Sequence, residues 1–185
     1  MSIGDYTNPT WENGEVINAT KLQTMTDKIE ELDTNALIRN DAVMITKTTA
    51  QTITNTNETK VTFDTEAIRV GDKLILDDNG IYVDSNYLNT IEVACTLWVE
   101  RTTYSYARLY IKKNFTTVYA QHIIPARLSG QELWCSMSLS CLVDVVIQDY
   151  INAYIVFSTG HASENKVNGG YDNSCILMAK AIELK

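Results

Sequence analysis

Histidine is nearly missing from this chain: only His122 and His161 occur. Proline appears twice and phenylalanine three times. No apolar run approaches the roughly 18 residues that a membrane-spanning helix needs. There is no Gly-X-Y tract, no internal repeat and no low-complexity segment. No two cysteines stand two residues apart, which removes zinc-knuckle and thioredoxin-like motifs. The opening stretch MSIGDYTNPT has neither a basic region nor an apolar one of the kind a secretory leader carries. The expectation is a soluble chain made in a cytoplasm, with no membrane partner.

Positive charge is also short. The chain carries 15 Lys and Arg against 23 Asp and Glu, for a net charge of −8. Sequence-independent binding of nucleic acid needs clustered basic side chains, so nucleic acid is not an expected partner. Anionic lipid surfaces are disfavoured for the same reason. The densest basic pair, Lys112 and Lys113 in "IKK", reads as a solvated strand end.

Catalytic chemistry finds few candidates. A Ser-His-Asp site would have to use His122 or His161. Ser158 stands near His161, but on a turn-rich stretch without a nucleophile elbow. Glycosidases need two carboxylates about 5 to 9 Å apart in a cleft, and nothing in the linear sequence pairs Glu132, Asp144 or Asp149 that way. Asp77-Asp78-Asn79-Gly80 resembles part of a calcium loop, but the EF-hand spacing and its closing Glu are missing, so a hairpin turn is the better reading. The chain is therefore expected to be no enzyme, with no cofactor and no metal site. The four cysteines, Cys95, Cys135, Cys141 and Cys175, sit among strand formers and read as buried free thiols. A Cys135–Cys141 bridge stays open as an alternative.

What is present divides the chain in three. Residues 1–19 are polar and broken by Pro9 and Gly14, yet hold Tyr6, Trp11 and Ile17. That segment is either a loop folded back on its own domain or an anchor inserted into a partner. Residues 20–40 carry a helical signal. Thr20 and Gln23 have capping-box spacing. Leu22, Met25, Ile29, Leu32 and Ala36 then follow at gaps of three and four, the narrow seam of a coiled coil. Lys28 and Asp33 fall where a g-to-e ion pair between parallel chains would form. The helix spans about two heptads, roughly 22 Å, and would be marginal alone.

Residues 41–185 read as strands. "KVTFDT" alternates with Val61 and Phe63 on one face. "DKLILDDNGIYV" is two short runs around Asp78-Asn79-Gly80, where Asn-Gly predicts a type I′ hairpin. "IEVACTLWVE", "YSYARLYIKKN", "ELWCSMSLSCLVDVVI", "NAYIVFST" and "CILMAKAIEL" follow, separated by "RLSGQ" and "STGHASENKVNGGYDNS". Closely spaced strands with no helical pattern among them predict a mainly β fold, an antiparallel sandwich or jelly roll. Ten tyrosines lie in the chain; such rings suit an interface.

The strand region resembles the jelly-roll superfamily that includes tumour necrosis factor and the globular heads of the first complement component. "TKTTAQTITNTNETKVTFDTEAIRVGD" is similar to its opening strand and loop, and "GIYVDSNYLNTIEVACTLWVE" to its "G-x-Y-x-V-x-A-x-L" strand, with Asn86 at a usual glycine. "RLYIKKN" is similar to "R-x-L-x-I-x-x-N-G". "LVDVVIQDYINAYIVFSTG" is similar to "V-x-L-x-x-G-D-x-I-x-L-x-V", with Gln148 at the glycine, and "SCILMAKAIEL" to the closing strand. The N-terminal string from Asn8 to Leu22 resembles "N-P-x-W-x-x-G-E-x-I-N-A-x-K-L-N", an opening found in minor virion proteins of tailed bacteriophages.

Those resemblances imply a homotrimeric phage head or tail fibre located in the virion. Tyr6, Pro9, Trp11 and Ile17 would anchor residues 1–19 to a capsid, neck or tail protein. Leu22, Met25, Ile29 and Leu32 would form a short trimeric coiled-coil stem, tethered at high effective concentration by the head. Residues 41–185 would be the jelly-roll head. If the head binds the host surface, loops far from the stem are the expected contact. His161, Asn165, Asn168 and Tyr171 are the candidate receptor residues, with cell-surface carbohydrate as the candidate ligand. A bacterial jelly-roll lectin unrelated to virions is the competing reading, and a polysaccharide depolymerase the third.

Overall fold

The computed structural model describes residues 23–29, 41–53, 56–85, 89–100, 105–126, 128, 134–158, 165–169 and 175–182. The chain divides into two units, Met1–Ala36 and Leu37–Lys185. In the first, residues 23–29 form one helix, α1, of about two turns. The anchor residues Tyr6, Pro9, Trp11 and Ile17, the capping Thr20, and Leu22 and Leu32 of the seam lie outside the described residues. Gln23 Nε2 donates to Asp27 Oδ1 at 2.7 Å, one turn on.

The second unit is built from strands. In chain order they are β1 (Ala42–Thr46), β2 (Gln51–Thr52), β3 (Thr59–Lys60), β4 (Thr65–Val70), β5 (Leu74–Asp77), β6 (Gly80–Val83) and β7 (Thr90–Glu100). Then come β8 (Ala107–Lys113), β9 (Thr117–Ile124), β10 (Trp134–Asp144), β11 (Tyr150–Phe157), β12 (Lys166–Val167) and β13 (Ile176–Ala181). All pairings are antiparallel.

Two sheets result. One runs β2-β12-β7-β13-β1-β4, with β10 on the other edge of β7. The other runs β5-β6-β11-β8-β9, with β3 also on β11. Strand β7 is long enough to serve two partners on one side: Ile91–Thr96 meet β13, while Val99 and Glu100 meet β12. Period-2 alternation decides which residues face inward. On β7 these are Ile91, Val93, Cys95, Leu97 and Val99; on β11 they are Ile151, Ala153, Ile155 and Phe157. The two inner faces share one apolar core.

Three departures from the sequence reading concern β3, β9 and the β5–β6 hairpin. "KVTFDT" is not one strand: Lys60 ends β3 and Thr65 opens β4, and between them Val61 and Phe63 still point into the core, on a stretch that leaves one sheet for the other. The segment "TVYAQHII" forms β9, although its alternation is too weak to read as a strand. The hairpin between β5 and β6 turns one residue early. Its two central residues are Asp78 (φ 41) and Asn79 (φ 56), and Gly80 opens β6 opposite Asp77. Asp and Asn tolerate this left-handed backbone, whereas Gly80 is needed elsewhere. A β-carbon there would come within 2.1 Å of Asn152 Nδ2 and 2.6 Å of the Ile151 carbonyl oxygen.

Candidate assembly and contact surfaces

The outer face of the seven-stranded sheet is short of charge. Its central row runs Met44, Met178, Ala94 and Ser140 across β1, β13, β7 and β10. The row on one side is Thr46, Ile176, Thr96 and Ser138; on the other it is Ala42, Lys180, Glu92 and Leu142. Ile68 and Val70 of β4 extend two rows, opposite Met44 and Ala42, and both are exposed. Within these rows only Lys180 and Glu92 are charged, and they face each other. A solvated antiparallel face normally turns polar side chains outward. Methionine, isoleucine and small neutral residues with few charges are the composition of an interface core.

The edges of the two sheets meet alongside that face. Strands β9 and β10 each have one partner. His122 ties them, with Nδ1 2.8 Å from the Ser138 carbonyl oxygen, a contact that needs the proton on Nδ1. His122 thus braces two edges. Lys113 Nζ donates to the Asp144 carbonyl at 2.8 Å, and Tyr119 donates to the same oxygen at 3.4 Å. Val118, Ile123 and Leu142 lie exposed along the two strands.

The outer face of the six-stranded sheet has another chemistry. Arg108, Tyr110 and Lys112 of β8 lie against Val156, Tyr154 and Asn152 of β11. The Lys112 ammonium sits 5.0 Å from the Tyr154 ring centre and 5.6 Å from that of Tyr110, and it pairs with Glu58. Arg108 donates to the Tyr110 hydroxyl at 2.9 Å. Tyr82 of β6 packs on Tyr150 with ring centres 4.9 Å apart. Tyr150 donates to Asp77 Oδ2 at 2.9 Å, and that bond pushes its hydroxyl above the ordinary tyrosine range.

The turn from β8 to β9 overhangs this face. Its central residues Asn114 (φ 49) and Phe115 (φ 67) are both left-handed, as a type I′ turn requires. Thr116 N–H closes it on the Lys113 carbonyl. Asn114 suits that backbone; Phe115 does not, and a β-carbon there costs about 1–2 kcal/mol. Asp149 holds the turn from below. It accepts from Asn114 Nδ2 at 2.6 Å and from Val146 N–H at 2.8 Å, and pairs with Lys113 at 3.3 Å. Burial pushes the Asp149 carboxyl up, but these donors outweigh it and hold it below the usual carboxylate range. Gln148, in the position where the resembled pattern has glycine, takes a glycine-like backbone at φ 72.

Of the residues singled out from sequence, Met25 and Ile29 share one face of α1 and are exposed in the single chain, at 39% and 62%. Within the candidate receptor stretch, Asn165 is 1% exposed. Its carbonyl accepts from Ile53 N–H at 2.9 Å, and Lys166–Val167 add β12 to the sheet where a plain loop was expected. Asn165 is therefore buried where the chain enters β12. Asn168 is half-buried and bonds the Trp98 carbonyl through its own N–H. His161 and Tyr171 lie outside the described residues. None of the four cysteines is in a disulfide; Cys95 and Cys175 are buried, while Cys135 and Cys141 are half-buried rather than enclosed. Among the described residues no group of three His, Cys, Asp or Glu side chains is placed to hold a metal.

Sequence reasoning missed Phe115 and Asn152. The signal for Phe115 was legible: Asn-Phe stands where the hairpin pattern carries Asn-Gly. Nothing in sequence marked Asn152, whose fully buried side chain has no hydrogen-bond partner at either Oδ1 or Nδ2.

The chain superposes on crystal structures of murine APRIL. With the structure at pH 5.0 the TM-score is 0.58, at 10% identity over 77% of this chain and 99% of that one. With the pH 8.0 structure it is 0.57, at the same identity and coverage. The fold is a jelly roll like theirs. At 10% identity the likeness speaks for the jelly roll alone. No family profile and no curated protein matches the chain.

Proposed function

We propose that this protein is a homotrimeric fibre subunit of a tailed-phage particle, anchored through its N-terminal segment and presenting the jelly roll outward. The observation that carries the trimer is the charge-poor outer face of the seven-stranded sheet, flanked by the β9–β10 edge with its exposed Val118, Ile123 and Leu142. A second copy packed edge-to-face would cover both, and a threefold ring closes such a head-to-tail contact. The exposed Met25 and Ile29 of α1 support the same reading, because three parallel copies would cover them. The virion assignment rests on the Asn8–Leu22 string, and the adhesive role on the head being the outward part.

Sedimentation of the purified chain tests assembly: the expected species is three times 20.8 kDa, and a monomer at micromolar concentration refutes it. Deleting residues 1–19 tests the anchor. The expected product is a soluble trimer that no longer joins particles. A full chain that joins no particle favours the free-standing lectin.

A further inference from the structure

Two departures from local rules meet on the outer face of the six-stranded sheet. Phe115 keeps a left-handed backbone that glycine would take without strain. Its ring is not drawn into the core. It is 43% exposed, stacks on Tyr150 with centres 5.7 Å apart and planes at 27°, and lies 5.2 Å from Lys60 Nζ. Two residues along β11 from Tyr150, on the same face, is Asn152. It is 0% exposed, and both side-chain polar atoms lack a partner. Buried amides are almost always paired. An aliphatic residue would fill the same place at no such cost. Departures of this kind concentrate where a fold is adapted to bind something.

We propose that this face is a saccharide-binding platform, with a pyranose ring stacked on the Phe115 ring that Tyr150 backs and neighbouring hydroxyls engaging Asn152. The chemistry selects the ligand class. Aromatic faces take the apolar C–H face of a sugar. An amide with a free donor and a free acceptor matches hydroxyl groups, which both donate and accept. The rim offers Asp77 and Asp78 as acceptors and Lys60 as a donor. Glu58, Asp77 and Asp78 offset the face's cations Lys60, Arg108 and Lys112, so no excess of positive charge is left, in a chain of net charge −8, to draw a phosphate or a nucleic acid.

Access to Asn152 lies past the Lys60–Asp78 ion pair. Lys60 stands opposite Tyr154, and Asp78 belongs to the turn that ends at Gly80, which packs directly on the Asn152 amide. Asp78 is more than half exposed, and such surface pairs open readily. The inference rests on the reading of the jelly roll as the host-contacting part, and it moves that contact from the His161–Tyr171 stretch to this sheet.

The test uses the full chain and four probes: the methyl glycosides of glucose, galactose, mannose and N-acetylglucosamine. Saturation-transfer NMR should show transfer to the C–H face of at least one, and the Phe115 ring resonances should shift on titration. Phe115→Gly and Asn152→Val should each weaken binding at least tenfold while the Tm holds or rises, because each removes a strained or unpaired group. Asn168→Ala should leave binding unchanged. Absence of transfer from all four probes overturns the proposal, as does binding that leaves Phe115 unshifted or survives Phe115→Gly. If either variant fails to fold, the wild-type Phe115 shift decides. A particle-borne trimer that ignores all four probes sinks the platform alone. A chain that binds a glycoside but joins no particle sinks the virion reading alone.

Discussion

Replacing Asp149 with alanine should unfasten the end of the jelly roll that carries the strained turn. The carboxylate accepts from Val146 N–H at 2.8 Å and from Asn114 Nδ2 at 2.6 Å, and faces Lys113 at 3.3 Å. Asn114 in turn accepts from Tyr150 N–H at 2.8 Å, so one side chain holds the 145–149 turn, the β8–β9 turn and the start of β11. Hydrogen bonds to a charged group contribute about 1.5–3 kcal/mol each. Val146 and Asn114 are exposed, so water replaces part of what is lost. The net cost is about 2–3 kcal/mol. In urea, with a slope of about 1–3 kcal/mol/M, the midpoint should fall by about 1–2 M at unchanged slope. The pH dependence gives a second check. The folded carboxyl is held below its usual range, so its contribution is complete above the unfolded value near 4 and vanishes as pH falls through the folded one. The gap between wild type and variant should stay constant from about pH 5 to 8 and narrow below about 4. A loss under about 0.5 kcal/mol, or a gap that does not narrow in acid, would refute the assigned role.

Ala94→Arg puts a long cation at the centre of the charge-poor face, between Met178 and Ser140. The head should stay folded by circular dichroism but sediment as a monomer, and a persisting trimer would show that this face is not the contact. Ile29→Asp should splay the stem without lowering the melting temperature of the head; particles decorated as usual by that variant would remove the stem from the assembly. Gly80→Ala drives a methyl against the Asn152 amide and the Ile151 carbonyl. It should cost about 1–3 kcal/mol in a denaturation midpoint, and a neutral result would contradict the close approach of β6 to β11.

Much of the architecture was legible because burial writes a period into a strand. The strand-forming runs "IEVACTLWVE" and "NAYIVFST" marked where β7 and β11 lie. The turn chemistry of Asp78-Asn79-Gly80 located a hairpin, though not its register. Asp78 and Asn79 could both take the left-handed backbone, and only the neighbouring Asn152 required glycine at the next position. The contact surfaces were less legible. Asn165 looked like a loop residue because its neighbours are polar, and it is indeed in no strand, yet it is buried beside the start of β12.

By itself, then, the sequence determined the mainly β class and the run of each long strand, since these follow from side-chain chemistry and spacing along the chain. Tertiary structure alone decided which outward residues became neighbours. Met44, Met178 and Ala94 form a row, and Phe115, Tyr150 and Asn152 gather on one face, because sheet pairing brings together residues far apart in sequence. Spacing along a chain cannot encode that register, since it is settled by the summed burial of both sheets at once.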